Sequence, residues 1–300
     1  MTPRWLSLLF VALSLLSTGC VKKIAVNSLA NALSGSTGGS FTEDDDLQFV
    51  GDAIPFALKL MESVSDQAPE HEPIRESLCS GFTEYSLVYV KWPADQQRYD
   101  DYKAYQAGHA RARKMLERAK GYCWAAWDLE HPGFAEQITQ DPDGTLAEAT
   151  KDDISLLYWT GGAWLSEISL SKEDPEAIGA LPVAAAMIER ALELDESWDH
   201  GSLEDLMIQL EPSLPEPGGL DRARKHFERA VELAQGTRAS PYVSMATSVS
   251  VFTQDRKEFV DLLNKALQID VSKYPDDELA NLYAQEQARF YLAHVDDLFL

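Results

Sequence analysis

The stretch Ala184–Leu194, AAAMIERALEL, begins with a small residue, has a large apolar residue four positions later, and a second small residue three positions after that. Residues 223–233, ARKHFERAVEL, repeat this arrangement 39 positions further along the chain. ARKMLERA at 112–119 is a third copy, and FVDLLNKA at 259–266 is a weaker one. A period of this length is typical of helical repeats close to the tetratricopeptide (TPR) spacing, whose small residues let neighbouring helices approach. The residues predicted to pack these repeats are Ala112, Leu116, Ala119, Ala184, Ile188, Ala191, Ala223, Phe227, Ala230, Leu263 and Ala266.

Helix signals dominate the rest of the chain. Apolar residues recur at spacings of three and four, and proline or glycine separates one segment from the next. Residues 249–252 alone favour a strand, but they are few and lie between helix signals. We therefore predict an all-α fold, a helical-hairpin solenoid with degenerate TPR-like repeats, as a single domain over residues 42–300.

The first 19 residues have the pattern of a signal peptide. Arg4 precedes an apolar segment, Trp5–Leu16, that is too short to span a membrane comfortably. The segment ends close to Cys20, which resembles the lipidated cysteine of bacterial lipoproteins, although Ser17 stands where leucine is usual. An ordinary secretory signal is the alternative.

Cleavage before Cys20 would leave residues 20–41 as a lipidated tether. By resemblance to Gram-negative sorting rules, Val21 in place of aspartate favours the outer membrane, on its periplasmic face. A lipid anchor would hold the protein at the membrane without spanning it.

The composition is strongly acidic, with 49 acidic against 26 basic residues and a net charge of −23. Such a surface excludes nucleic acid and broad adhesion to anionic lipid, because both need a basic face. Two cysteines remain beyond Cys20. In an oxidising compartment Cys79 and Cys123 could form a disulfide, and two buried free thiols are equally compatible with their apolar surroundings.

No catalytic or metal-binding motif is present. No two of the six histidines have the spacing of a zinc helix, and phosphate loops, dinucleotide glycines and serine elbows are absent. A hydrolase based on Cys79 would need a histidine partner that the neighbouring sequence lacks. The sequence therefore predicts neither an enzyme nor a cofactor.

Five of the seven tryptophans lie between Trp92 and Trp164. Most should fill the core, but Tyr158, Trp159 and Trp164 flank the pair Gly161-Gly162. This pair is expected to interrupt the helix and to give a ligand or a backbone room to approach. We predict these three residues as a candidate ligand channel, with simple core packing as the alternative.

Several short sequence segments, in the same order along the chain, resemble the TatT family, the lipoprotein T components of TRAP transporters. They include Cys79-Ser80-Gly81-Phe82-Thr83, Leu157-Tyr158-Trp159-Thr160 and Ala239-Ser240-Pro241-Tyr242-Val243-Ser244. The resemblance covers essentially the whole chain after Cys20, and no single word is diagnostic alone.

The resemblance implies an α-helical homotrimer with an apolar pore or crevice in each protomer. It also implies a periplasmic solute-binding protein as partner and a hydrophobic organic acid as ligand. It assigns no ligand contact to any residue. The alternative is a TPR-like scaffold lipoprotein for envelope assembly that binds no small molecule.

Overall fold

The computed structural model describes residues 25–34 and 41–299, and these residues contain no β-strand. The predicted signal peptide, Cys20 and part of the tether lie outside the described residues. The all-α prediction is confirmed. The helices are 25–34 (α1), Leu47–Ser65 (α2), Glu72–Glu84 (α3), Trp92–Asp95 (α4), Tyr102–Glu130 (α5), Phe134–Gln140 (α6), Pro142–Ala147 (α7), Ile154–Ser169 (α8), Pro175–Gly179 (α9), Leu181–Leu194 (α10), Ser202–Leu210 (α11), Gly219–Ala234 (α12), Ser240–Met245 (α13), Arg256–Leu267 (α14), Glu278–Ala293 (α15) and Val295–Leu298 (α16).

Two helices continue as π-helical turns. Tyr85–Lys91 joins α3 to α4, and Ala246–Ser250 extends α13. Several helices begin immediately after an acidic residue in the sequence. Asp46 caps α2 by accepting a hydrogen bond from the Phe49 N–H, as the carboxylate run before this helix predicts. Among the described residues, no helix is both long and apolar enough to cross a membrane.

The residues predicted to pack the repeats lie at helix contacts. Ten of the eleven are fully buried, and Phe227 is half-buried against Tyr242. Three apolar clusters follow one another along the chain, and helix α1 closes the first of them through the fully buried Ala30. Repeat descent itself remains a prediction, because burial of small residues is common to many helical folds.

The two ends of the helical array meet. Trp92 of α4 is buried, and its Nε1–H donates to Oε1 of Glu286 in α15, 194 positions later, at 3.0 Å. The Leu279 N–H, at the start of α15, donates to the Thr42 carbonyl before α2. Three aromatic rings of α15 also contact the indole: Tyr283, Phe290 and Tyr291. The helices therefore form a closed ring.

A disulfide joins α3 to α5. Cys79 and Cys123 are bonded, with their Cα atoms 4.9 Å apart and 44 positions between them in sequence. Both side chains are fully buried in the first apolar cluster. Of the two alternatives that the sequence left open, the structure contains the disulfide.

Replacing both cysteines, Cys79→Ala with Cys123→Ala, should lower the free energy of unfolding by about 2–4 kcal/mol, because the cross-link restricts a long loop in the unfolded chain. Urea denaturation of the oxidised wild type and the double variant, followed by circular dichroism, measures the difference. Equal midpoints and slopes for the two proteins would contradict the prediction.

Candidate functional site

A cavity of about 780 Å³ lies between the first turns of α5 and the ends of several other helical segments. We call it the C-end cavity, because Lys91, Ser169, Ser248 and Phe290 stand at or near the C-terminal ends of their helical segments. These residues come from the first, middle and last parts of the chain. The cavity is open to solvent, since Tyr99 and Tyr102 in its lining are exposed, and no single repeat could form it.

Cations outnumber carboxylates in this cavity. Its cationic side chains are Lys91, Arg98, Arg113 and Lys172, and its carboxylates are Asp95 and Glu173. Arg98 and Lys172 have no carboxylate partner among the described residues, and Arg113 Nε lies 3.8 Å from Glu117. An excess of positive charge is unusual in a chain with a net charge of −23. It favours an anionic occupant.

The Asp95 carboxylate already forms hydrogen bonds with two neighbouring side chains, those of His109 and Lys91. Burial opposes its ionisation, but hydrogen bonds and charge from His109 and Lys91, each at 2.6 Å, outweigh burial and hold the pKa of Asp95 below its usual value. The carboxylate consequently neutralises Lys91 more than it neutralises the other cations. Arg98 and Lys172, which have no carboxylate partner among the described residues, are left for an incoming group.

Aromatic rings supply the apolar part of the lining. Tyr102 stacks on Tyr105 with 5.5 Å between ring centroids, and Tyr99 stacks on His294 at 5.3 Å. Phe290 and Tyr291 continue this surface on α15. Flat apolar faces beside the cations Arg98 and Lys172 suit an organic anion better than a small inorganic one.

A second cavity, of about 400 Å³, lies at the opposite ends of two of the same helices. We call it the N-end cavity, because Ser155 and Trp159 line it near the start of α8, beside Ser77 and Ser80 in the middle of α3. The remaining lining comes from α1 and from Pro73 and Glu76.

Helix α8 contributes residues from one face to the lining of both cavities. Ser155 lines the N-end cavity and Ser169 lines the C-end cavity, and Gly162 lies midway, seven positions from each. Residues seven apart share a helix face, and the whole span is about 21 Å at 1.5 Å per residue. A Cβ atom at Gly162 would meet no atom within 4 Å. The middle of this face is therefore open.

Helix α3 has the same order of features. Ser80 lines the N-end cavity, Glu84 follows one turn later on that face, and Lys91 at the end of the π-helical turn lines the C-end cavity. Glu84 is exposed to solvent, yet desolvation by the surrounding protein raises its pKa to about 7, with a contribution from the Asp199 carboxylate.

The three aromatic residues predicted from the sequence lie in different surroundings. Trp159 lines the N-end cavity. Tyr158 lies one turn before Gly162, is half-buried, and contacts Trp159 and Trp198, each with 5.0 Å between ring centroids. Burial, followed by the charges of nearby carboxylates, raises the pKa of Tyr158.

Trp164 lies elsewhere. It packs edge-on against Trp124 with the centroids 5.4 Å apart, and Lys120 Nζ lies 5.6 Å from its ring. The residues that line the cavities and that sequence reasoning missed include Arg98, Arg113 and Lys172. A sequence signal for the open face did exist in the heptad of small residues at 155, 162 and 169.

The glycine pair does not interrupt α8, contrary to the expectation from sequence, since the helix runs unbroken from Ile154 to Ser169. Gly161 serves helix packing. A Cβ atom there would come 2.6 Å from Ile188 Cδ1 and 3.3 Å from the Ala184 carbonyl oxygen. The two glycines therefore have different roles, since one lets α10 approach and the other keeps the opposite face clear.

Glu130, His131 and Asp153 form a cluster whose ligand atoms lie within 4.8 Å of one another. His131 Nε2 lies 3.2 Å from Asp153 Oδ1, and the other oxygen of Asp153 accepts from the Thr150 N–H at 2.7 Å in a capping box. Asp153 thus already has structural partners, and we assign no metal to the cluster. Its charge does affect Glu72. Burial, and then repulsion by Glu76, Glu130 and Asp153, raises the pKa of Glu72 to about 7.

Glu72→Gln should stabilise the protein at pH 8 by about 1–2 kcal/mol and have little effect at pH 4.5. The folded state favours the protonated acid, so stability falls as pH rises from about 4.5 to about 7 and is level above that. Thermal unfolding at several pH values tests this. The exposed Glu228→Gln is the control for the change in net charge. Equal stabilisation by both variants would contradict the assignment to Glu72.

Comparison with known proteins identifies relatives over nearly the full length. A family model described as the TRAP transporter T-component (TAtT) matches residues 43–299. The chain is also similar to an uncharacterized protein of Treponema pallidum (strain Nichols), with 26% identity over 306 residues and 95% of each chain covered.

Proposed function

The chain belongs to the TRAP transporter T-component family, and we propose that it delivers an organic acid through a passage that joins its two cavities. The observation that carries this proposal is the shared helix face of α8, with one cavity at Ser155, the other at Ser169, and open space at Gly162. The proposed steps are binding and transfer, and no bond is made or broken.

The lining of the passage fits an amphiphilic acid. The tyrosines and Phe290 of the C-end cavity would hold the apolar part, while Arg98, Arg113 and Lys172 would attract the carboxylate. The family resemblance implied an apolar channel, whereas this lining combines aromatic and cationic groups. The mixture supports a ligand with a charged end and an apolar body.

The transport role requires partners. We propose that a periplasmic solute-binding protein of the same TRAP system docks on this protein and exchanges ligand with it. We further propose lipidation at Cys20, anchoring at the periplasmic face of the outer membrane, and assembly as a homotrimer. The family match supports these proposals through the transporter class to which the chain belongs.

Native mass spectrometry of a form lacking residues 1–20, with and without the solute-binding protein from the same transport system, tests docking and assembly together. We expect a homotrimer that gains the solute-binding protein. A protein that ignores this partner and also fails to bind octanoate would refute the transport proposal and favour the scaffold alternative.

A further inference from the structure

The outer face of α2 carries large apolar side chains in water. Phe49 and Phe56 are 65% and 75% exposed, and Leu60 is 37% exposed. They are seven and four positions apart in one continuous α-helix, so the three side chains lie on one face. We call them the α2 stripe. Its length along the helix axis is roughly 17 Å.

The rest of α2 is packed tightly against the protein. Val50, Leu58 and Met61, on the opposite face of the helix, are buried. Gly51 approaches Tyr89 so closely that a Cβ atom there would come 2.5 Å from Tyr89 Cδ1. The fold therefore fixes α2 with the stripe facing outward. A contiguous apolar patch that a folded chain leaves in solvent is typical of an interaction surface.

The surroundings of the stripe are acidic. Residues 43–58 contain five carboxylates, at positions 43–46 and 52, and no lysine or arginine. We call these carboxylates the acidic rim, and Asp45 and Asp52 within it are exposed. Lys59, the first cation after this segment, donates to Glu62 at 2.6 Å. The stripe is therefore bordered by negative charge near its start.

A recess of about 480 Å³ adjoins the start of α2 and separates it from part of α15. Its charged lining residues are Asp45, Asp46, Glu286 and Arg289. Arg289 already donates to Gln285 Oε1 at 3.2 Å. Because carboxylates outnumber cations in this lining, a lysine or arginine side chain of a partner would be attracted to the recess.

We propose that the α2 stripe and its acidic rim form the docking surface for the solute-binding protein, which would contribute an apolar patch bordered by lysine or arginine side chains. This inference rests on the proposed function and adds to it the location and the chemistry of the contact. Charge argues against two other occupants. A two-fold contact between copies of this chain would set the acidic rim against itself, and the rim would repel anionic lipid.

The first test removes the apolar contact. Calorimetry measures the affinity of the solute-binding protein from the same transport system for the form lacking residues 1–20, as wild type and as the double variant Phe49→Ala with Phe56→Ala. Phe252→Ala is the matched control, because Phe252 is 68% exposed and lies outside α2. We expect the double variant to bind at least about tenfold more weakly, and the control to bind like the wild type.

The second test removes charge from the rim. Asp45→Asn with Asp52→Asn should weaken binding about threefold or more at low salt and make the affinity less dependent on added salt. Asp143→Asn with Glu228→Gln makes the same change in net charge at two other exposed carboxylates and should alter neither property. Equal salt dependence in the rim variant and the wild type would overturn the proposed charge contact.

The outcomes separate this surface from the function on which it rests. A wild type that binds no solute-binding protein would refute the docking proposal as a whole. A wild type that binds it, together with a Phe49→Ala, Phe56→Ala variant that binds equally well, would overturn only the surface. Native mass spectrometry and sedimentation with vesicles of phosphatidylethanolamine and phosphatidylglycerol show whether that variant instead loses self-assembly or lipid binding, either of which, with partner affinity retained, would also overturn it. Circular dichroism verifies that each variant is folded.

Discussion

Gly162→Trp should fold like the wild type and lose all measurable binding of octanoate. Space is open around Gly162, because a Cβ atom there would meet nothing within 4 Å, and the residue lies midway between two cavity-lining serines of α8. An indole at this position would occupy the middle of the proposed passage. A glycine in a helix interior lowers stability by about 0.5–1 kcal/mol relative to alanine, and this substitution removes one. No loss of stability is therefore expected.

Gly161, the neighbour of Gly162 in α8, provides the matched control. Gly161→Ala adds a Cβ atom 2.6 Å from Ile188 Cδ1, in a fully buried contact between α8 and α10. We expect it to lose about 1–3 kcal/mol of stability and to keep octanoate binding. Calorimetry gives binding, and thermal unfolding gives stability. Full octanoate affinity in a folded Gly162→Trp protein would show that ligand does not use this face of α8.

The fold class was accessible from sequence because local patterns determine it. Alanine at positions 112, 119, 184, 191, 223 and 230 recurs with a spacing that only a helix converts into one packed face, and every one of these residues is fully buried. Carboxylates such as Asp46 mark helix starts through their own backbone contacts. Each of these signals is complete within a few turns of chain.

The candidate site was less accessible because it depends on the closure of the ring. Arg98 and Lys172 line one cavity with Phe290 and Tyr291 of α15, and the pair that joins α15 to α4, Trp92 and Glu286, is 194 positions apart. Hydrophobic periodicity also identifies the apolar face of a helix but not the element against which that face packs. For that reason Trp159 and Trp164, five positions apart on α8, could not be separated from sequence, although one lines a cavity and the other packs on Trp124.

The same dependence on closure makes Trp92 the residue whose loss should be most costly. Trp92→Ala removes a buried indole that contacts three aromatic rings of α15 and donates to Glu286, so we expect about 3–5 kcal/mol of lost stability. Trp92→Phe is the control. It retains an aromatic contact and lacks the Nε1–H donor, while Gln96 still donates to Glu286 at 3.1 Å, so its cost should be about 1–2 kcal/mol.

Because the contact between α4 and α15 closes the ring of helices, Trp92→Ala should have a second effect, on ligand binding. Phe290 and Tyr291 of α15 belong both to the contact with Trp92 and to the lining of the C-end cavity. Release of α15 should therefore weaken octanoate binding and increase the radius of gyration in small-angle scattering under conditions where the other helices remain folded. An Ala variant that is destabilised as expected, yet binds octanoate with wild-type affinity, would show that the cavity does not need the closed ring. Loss of both properties together, with Trp92→Phe retaining both, would establish that the contact between the two ends of the chain builds the binding site.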